Sequence, residues 1–337
     1  MTTKHAIYSP GGILAQRGFF VAALAIAIAT AVYCPTISAA ETTLQQLTTE
    51  TQLRARYAPP PSKFVMVDGV PLHLRDEGKG APLILLNGHL GSLHMWDAWM
   101  PALTRRFRVI RLDYPPYGLS GPDPSGVYST ARAVDLLGKL ADQLKLKRFH
   151  VGGTSNGALV VVFYAIEHPD RVDRLVVSTL PAGRPPPRTP SAAMIAAVAE
   201  SQRLAPFQPR EFFDAFLHDI IANDAIITPQ LIDRYFDINN RAGAKTWVDA
   251  YIQTQYQLWD SIDIAKQYAR LTRPILIQWG ADGVVLPEQI GRDVAALFVN
   301  APTTLTPYRG AGHLPMIEKP DLTVREAVRF LRRGELR

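Results

Sequence analysis

The sequence predicts an α/β fold: a mostly parallel sheet flanked by helices, with a helical cap over the carboxyl ends of the strands. Three observations carry this expectation. Short apolar runs alternate with longer helical patterns from residue 64 to the carboxyl end. One run, at 149–152, leads through a glycine-flanked serine directly into a helical pattern. Between 183 and 270 the rhythm stops, and helical patterns rich in aromatic residues fill the gap without a convincing strand.

The first elements form a hairpin. Phe64-Val65-Met66-Val67 and Val70-Pro71-Leu72-His73-Leu74 flank Asp68-Gly69, a dipeptide suited to a tight turn between antiparallel strands. Pro71 has no N–H to give to a ladder, which puts the start of the second run at a sheet edge. Strand candidates follow at 83–86, 108–112, 149–152, 175–178 and 275–279, with a weaker one at 304–306. Helix candidates lie around 95–104, 130–145, 156–167, 288–298 and 321–333. Several strands lack polar–apolar alternation, as expected when helices cover both faces of the sheet. The insertion carries Phe207, Phe212, Phe213, Phe216, Tyr235, Phe236, Trp247, Tyr251, Tyr256 and Trp259, of which a minority is expected to face a pocket. Its place between two strands puts it over their carboxyl ends, where open α/β sheets bind ligands. With 47% hydrophobic residues, the 337-residue chain can bury one large core. The expected division is a leader at 1–40, a lead-in at 41–62, core at 63–182, cap at 183–270 and core again at 271–337.

The leader stands apart. Lys4 and Arg17 are its only formal charges, residues 18–40 are an uncharged apolar run, and Ser38-Ala39-Ala40 ends it with small residues. A cleaved signal peptide and an uncleaved membrane anchor both fit, and either places the body outside the cytoplasm, periplasmic, secreted or membrane-tethered. Cys34 is the single cysteine, so no intramolecular disulfide can form. The net charge is +6, yet Arg105-Arg106 and Arg332-Arg333 sit beside amphipathic patterns rather than in a continuous basic block. Nucleic-acid binding is therefore not expected.

The chemistry centres on Gly153-x-Ser155-x-Gly157, at the end of a strand and the start of a helix. Small residues two positions either side of a serine permit a sharp turn that lifts its hydroxyl above the sheet, the setting of a nucleophile elbow. The amide of Asn156, at the helix start, then points toward a developing oxyanion. A serine hydroxyl needs a base, and His313 in the loop Gly310-Ala311-Gly312-His313-Leu314 comes late in the chain, as this order of residues requires. Asp282, following the strand at 275–279, is the candidate acid to orient that imidazole. The backbone amide of His89, in Asn87-Gly88-His89-Leu90-Gly91-Ser92, is the expected second oxyanion donor. No metal-ligand spacing is present and no cofactor is called for.

At these residues the chain resembles the α/β-hydrolase superfamily, in particular its lidded esterases and carbon–carbon hydrolases of ring-cleavage products. The likeness extends from about residue 64 to 331. It also rests on Trp96, on Asp113-Tyr114-Pro115-Pro116-Tyr117-Gly118-Leu119-Ser120, on Glu167-His168-Pro169-Asp170-Arg171-Val172, and on Gly312-His313-Leu314-Pro315-Met316-Ile317-Glu318-Lys319-Pro320. Three departures accompany it. Asn87 stands where such proteins usually have histidine, Pro116 where they have glycine, and their acid position falls on Gly283, one residue after Asp282. The resemblance implies serine-dependent hydrolysis of a small or medium apolar carboxylic ester. The alternatives are hydrolysis of a carbon–carbon bond in a diketone-like compound, and a binding protein of the same fold with impaired chemistry.

Overall fold

The computed structural model describes residues 48–333. The expected leader at 1–40 and the first residues of the lead-in lie outside these. The rest of the lead-in forms helix α1, Glu50–Tyr57, opened by a reciprocal capping box between Thr49 and Gln52. Eight strands form one sheet: β1 Lys63–Val67, β2 Val70–Gly78, β3 Ala81–Leu86, β4 Phe107–Leu112, β5 Phe149–Thr154, β6 Val172–Ser178, β7 Ile275–Gly280 and β8 Thr303–Tyr308. They lie in the order β1-β2-β4-β3-β5-β6-β7-β8. The β1–β2 and β2–β4 pairs are antiparallel, and the remaining five are parallel.

Strand β2 lies between β1 and β4, but its start, with Pro71, stands at the sheet edge as expected. The proline is tolerated because the ladder to β4 begins only at Leu74, so at Pro71 the strand has β1 alone as a strand neighbour. Every residue of β5 and β7 is buried, which explains why neither strand alternates polar with apolar residues.

The pattern at 95–104 resolves into a 3₁₀ segment, Leu93–Trp99, followed by the single turn α2, Met100–Leu103. Pro101 cannot donate to residue 97, so one continuous α-helix cannot run through it. Helix α3, Thr130–Gln143, starts at the cap Ser129 and buries Leu136, Leu137 and Leu140. Helix α4, Asn156–Glu167, is buried at ten of its twelve residues and packs chiefly against β5 and α3.

Between β6 and β7 there is no strand. Helices α5 Ala192–Arg203, α6 Arg210–Ile220, α7 Pro229–Asn239, α8 Ala244–Ser261 and α9 Ile264–Tyr268 occupy the interval. Side chains of this insertion bond to loops that follow the strands. Asn239 Nδ2 donates to Leu90 O at 2.8 Å, and Arg241 donates to Ser120 O at 2.6 Å. From the other side, Arg56 and the Tyr57 hydroxyl both donate to Asp237, each at 2.6 Å, clipping α1 onto α7. Helices α10 Glu288–Ala296, α11 Pro315–Glu318 and α12 Pro320–Arg333 complete the chain. Among the described residues no helix is long and apolar enough to cross a membrane.

Candidate active site

Ser155 joins β5 to α4 with φ 51° and ψ −121°, a conformation unfavourable for a residue with a Cβ. The surroundings enforce it. The Ser155 amide donates to Ser178 O at 2.9 Å. A Cβ on Gly153 would stand 2.5 Å from the carbonyl of Gly157, and one on Gly157 would stand 2.2 Å from Asn87 O. Both flanking glycines are therefore required by close backbone approach, and the turn they permit lifts the hydroxyl into a cavity.

His313 reaches the same cavity from the loop between β8 and α11. Its amide donates to Ile220 O, at the end of α6, at 2.7 Å, and its carbonyl accepts from the Thr179 hydroxyl at 2.9 Å. Glu318 braces the loop. Its Oε1 accepts from the amides of Gly312 at 2.8 Å and Leu314 at 3.3 Å, while Oε2 accepts from Ala222 at 2.8 Å and Asn223 at 3.2 Å. Burial pushes the Glu318 carboxyl up in pKa, opposed by those four donors. The sequence motif contained Glu318, but nothing in the motif revealed that it ties the histidine loop to the cap.

The expected contact between Asp282 and His313 is not made. Asp282 is exposed, and its Oδ2 accepts from the Gly310 amide at 2.7 Å. His313 Nδ1 is buried with no hydrogen-bond partner. Burial pushes the imidazole from 6.5 down to about 4, with a smaller contribution in the same direction from His89. Gly283 is buried, and a Cβ there would lie 3.4 Å from Leu286 O and 3.5 Å from the carbonyl carbon of Gly312, in ordinary contact. The one-residue displacement of the acid therefore carries the carboxylate out to solvent and leaves hydrogen in its place. Ser155 and His313 line one cavity without a direct side-chain hydrogen bond.

Among the described residues the amides of His89 and Asn156 meet no acceptor, and both residues line the cavity that holds Ser155. Asn87 shapes the first of these loops, its Nδ2 donating to the carbonyls of Gly88 and Gly91 at 3.0 Å each. The His89 side chain, expected to serve through its backbone alone, also lines the cavity. Its Nδ1 lies 3.1 Å from the Tyr117 hydroxyl, and burial pushes its pKa down to about 4.

The cavity encloses about 270 Å³. Met95, Phe216, Ile252, Trp259 and Leu286 supply apolar wall, and no Lys or Arg side chain among the described residues lines it. Of the cap aromatics, Phe216, Tyr235, Tyr256 and Trp259 face the cavity. Trp247 instead stacks on Tyr128, and Tyr251 packs with Tyr114 and Tyr117. No group of three or more metal-ligating side chains occurs among the described residues.

A second serine, histidine and aspartate meet away from the cavity. His73 Nδ1 lies 2.7 Å from Asp113 Oδ2, and its Nε2 lies 3.0 Å from Ser62 Oγ. Asp113 also accepts from the amides of Leu93 and Leu119, and Ser62 Oγ accepts from Arg75 Nε at 2.9 Å. These groups pin loops to strand β2, and none of them lines the cavity that holds Ser155 and His313.

Comparison with known proteins accords with this architecture. A family model described as the alpha/beta hydrolase fold matches residues 81–320. A putative carbamate hydrolase, RutD, of a Caulobacter species is 27% identical over 68% of this chain and 83% of its own. The 2-hydroxy-6-oxo-2,4-heptadienoate hydrolase of Pseudomonas putida is 26% identical over 76% of this chain and 91% of its own. Among solved structures, a meta-cleavage product hydrolase from Pseudomonas fluorescens superposes with a TM-score of 0.69 at 21% identity, covering 81% of this chain and 98% of that one. With the strand order, the glycine-flanked Ser155 and the late His313 loop, the match identifies the chain as a member of the α/β-hydrolase fold family.

Proposed function

We propose that the protein hydrolyses small or medium, uncharged carboxylic esters through an acyl-enzyme on Ser155. The observation favouring an uncharged substrate is the cavity wall, which is largely apolar and has no cationic side chain among the described residues to pair with a carboxylate. Ser155 Oγ attacks the ester carbonyl carbon while His313 takes the hydroxyl proton. The amides of His89 and Asn156 hold the resulting oxyanion. As the tetrahedral intermediate collapses, the ester C–O bond breaks and His313 returns the proton to the departing alcohol. Water, deprotonated in turn by His313, attacks the acyl carbon, and the second collapse releases the acid and restores Ser155. His313 remains neutral, and so competent as a base, at any pH well above about 4.

In this proposal His313 works without a carboxylate in contact, which leaves the imidazolium formed at each step poorly compensated. The expected enzyme is therefore slow for its fold. Cleavage of a carbon–carbon bond in a diketone-like compound is the second reading, favoured by the Pseudomonas putida relative, and it uses the same residues. A panel of aliphatic esters set against a vinylogous diketone separates the two, and turnover of the diketone alone would overturn the ester proposal. A fluorophosphonate probe tests the nucleophile: labelling is expected in the wild type and absent in Ser155→Ala, and a folded wild type that never labels refutes it.

A further inference from the structure

Four polar side chains form a directed chain of hydrogen bonds running from the cap into the cavity wall. Gln255 Nε2, on α8, donates to Asn156 Oδ1 at 2.9 Å. Asn156 Nδ2 donates to the Tyr117 hydroxyl oxygen at 3.1 Å, and that oxygen lies 3.1 Å from His89 Nδ1. Tyr117 is fully buried, and of the two groups its hydroxyl meets among the described residues, Asn156 Nδ2 is a donor and only His89 Nδ1 can accept its proton. The phenol must therefore donate to Nδ1, which puts the imidazole proton on Nε2. Among the described residues Nε2 has no partner, and the half-buried ring leaves it accessible. The ring stands in the wall shared by the catalytic cavity and a second chamber of about 500 Å³ beneath the cap helices.

We infer that the His89 imidazole is a specificity-determining donor: Nε2–H selects esters that carry a second, uncharged acceptor oxygen close to the scissile carbonyl, such as keto esters. A polar group set in an otherwise apolar wall favours a substrate that pairs with it, because a substrate lacking the acceptor leaves the donor desolvated and unmatched. The Tyr117 bond fixes the tautomer. With Nδ1 held as an acceptor, Nε2 can only donate while the ring is neutral.

This assignment rests on the ester proposal, and two measurements keep their failures apart. The first compares kcat/KM for ethyl acetoacetate and ethyl butanoate, each divided by its hydroxide-catalysed rate. Wild type should favour the keto ester by about ten-fold, the value of one well-placed hydrogen bond, and His89→Phe should bring the ratio near one. A ratio unchanged in His89→Phe overturns the inference while leaving ester hydrolysis standing; turnover of neither ester overturns the ester proposal. The second measurement needs no turnover. In ¹⁵N spectra of the ring-labelled wild type at neutral pH, the histidine signal missing from His89→Phe should be a neutral Nε2–H tautomer, and Tyr117→Phe should shift it toward a mixture. An Nδ1–H tautomer or a cation at that site in the wild type overturns the inference whatever the substrate.

Discussion

Replacing Gly283 by aspartate puts a carboxylate where the histidine loop lacks one. Three features of the structure make the substitution informative. The new Cβ meets its nearest neighbours at 3.4–3.5 Å, so it requires no displacement, and Gly283 is not among the positive-φ glycines, so the backbone accepts a side chain. His313 Nδ1 is already buried and unpaired. A carboxylate about 4 Å from the ring, in an effective dielectric of about 20, stabilises the imidazolium by about 4 kcal/mol, or roughly three pH units. That moves His313 from about 4 to near 7. Because the neutral imidazole is the base, the acidic limb of the kcat/KM profile should move up by about the same interval. The plateau should rise as well, since losing the triad acid slows a serine protease of unrelated fold by about 10⁴-fold and restoring one here should recover at least about ten-fold. The assay is ester hydrolysis from pH 4 to 9, with Gly283→Asn as the uncharged control. A well-folded Gly283→Asp protein whose limb and plateau match those of Gly283→Asn would refute the assignment of Gly283 as the vacated acid position.

Other substitutions separate support from chemistry. Asp282→Asn removes a charge that caps the Gly310 amide and touches no imidazole, so kcat/KM should stay within about three-fold of wild type; a loss of about 10³-fold or more would restore Asp282 as the acid. Glu318→Gln keeps one acceptor oxygen where four amides need two, and should lower unfolding stability by about 2–4 kcal/mol in denaturant titrations, with kcat falling as the His313 loop loosens. Burial holds His89, His150 and His313 near 4 rather than 6.5. The unfolded chain therefore takes up protons between pH 6.5 and 4 that the folded chain refuses, and stability should fall as the pH drops through that window. For His150, only 5% exposed and edge-on to Phe107, the loss approaches about 3 kcal/mol, and thermal melts of His150→Leu should show a shallower decline.

The order of strands and helices was legible because each rests on local pattern: Asp68-Gly69 makes its turn, β5 and β7 are predominantly apolar, and Ser155 sits between glycines whose backbones nearly touch other chain segments. What stayed hidden depends on distance along the chain. Tyr117 meets His89 and Asn156 across 28 and 39 residues, and Gln255 meets Asn156 across 99. No periodicity encodes such pairings. Asp282 illustrates the complementary limit. An aspartate after a strand looks the same in sequence whether its carboxylate faces an imidazole or, as here, the Gly310 amide. The three residues Ser62, His73 and Asp113 make the converse point, for chemistry-bearing side chains at hydrogen-bond distance act as a brace when their polar atoms are spent on the surrounding chain, as those of Asp113 are on Leu93 and Leu119.

The bond from the His313 amide to Ile220 O has a bearing on traffic through the cavity. A roof that swung away on a hinge would carry α6 with it, sever that bond and release Ala222 and Asn223 from Glu318, so each opening would dismantle the imidazole's mounting. Movement of the roof and disorder of the base are thus one event, and any substitution that loosens α6 should be felt at His313.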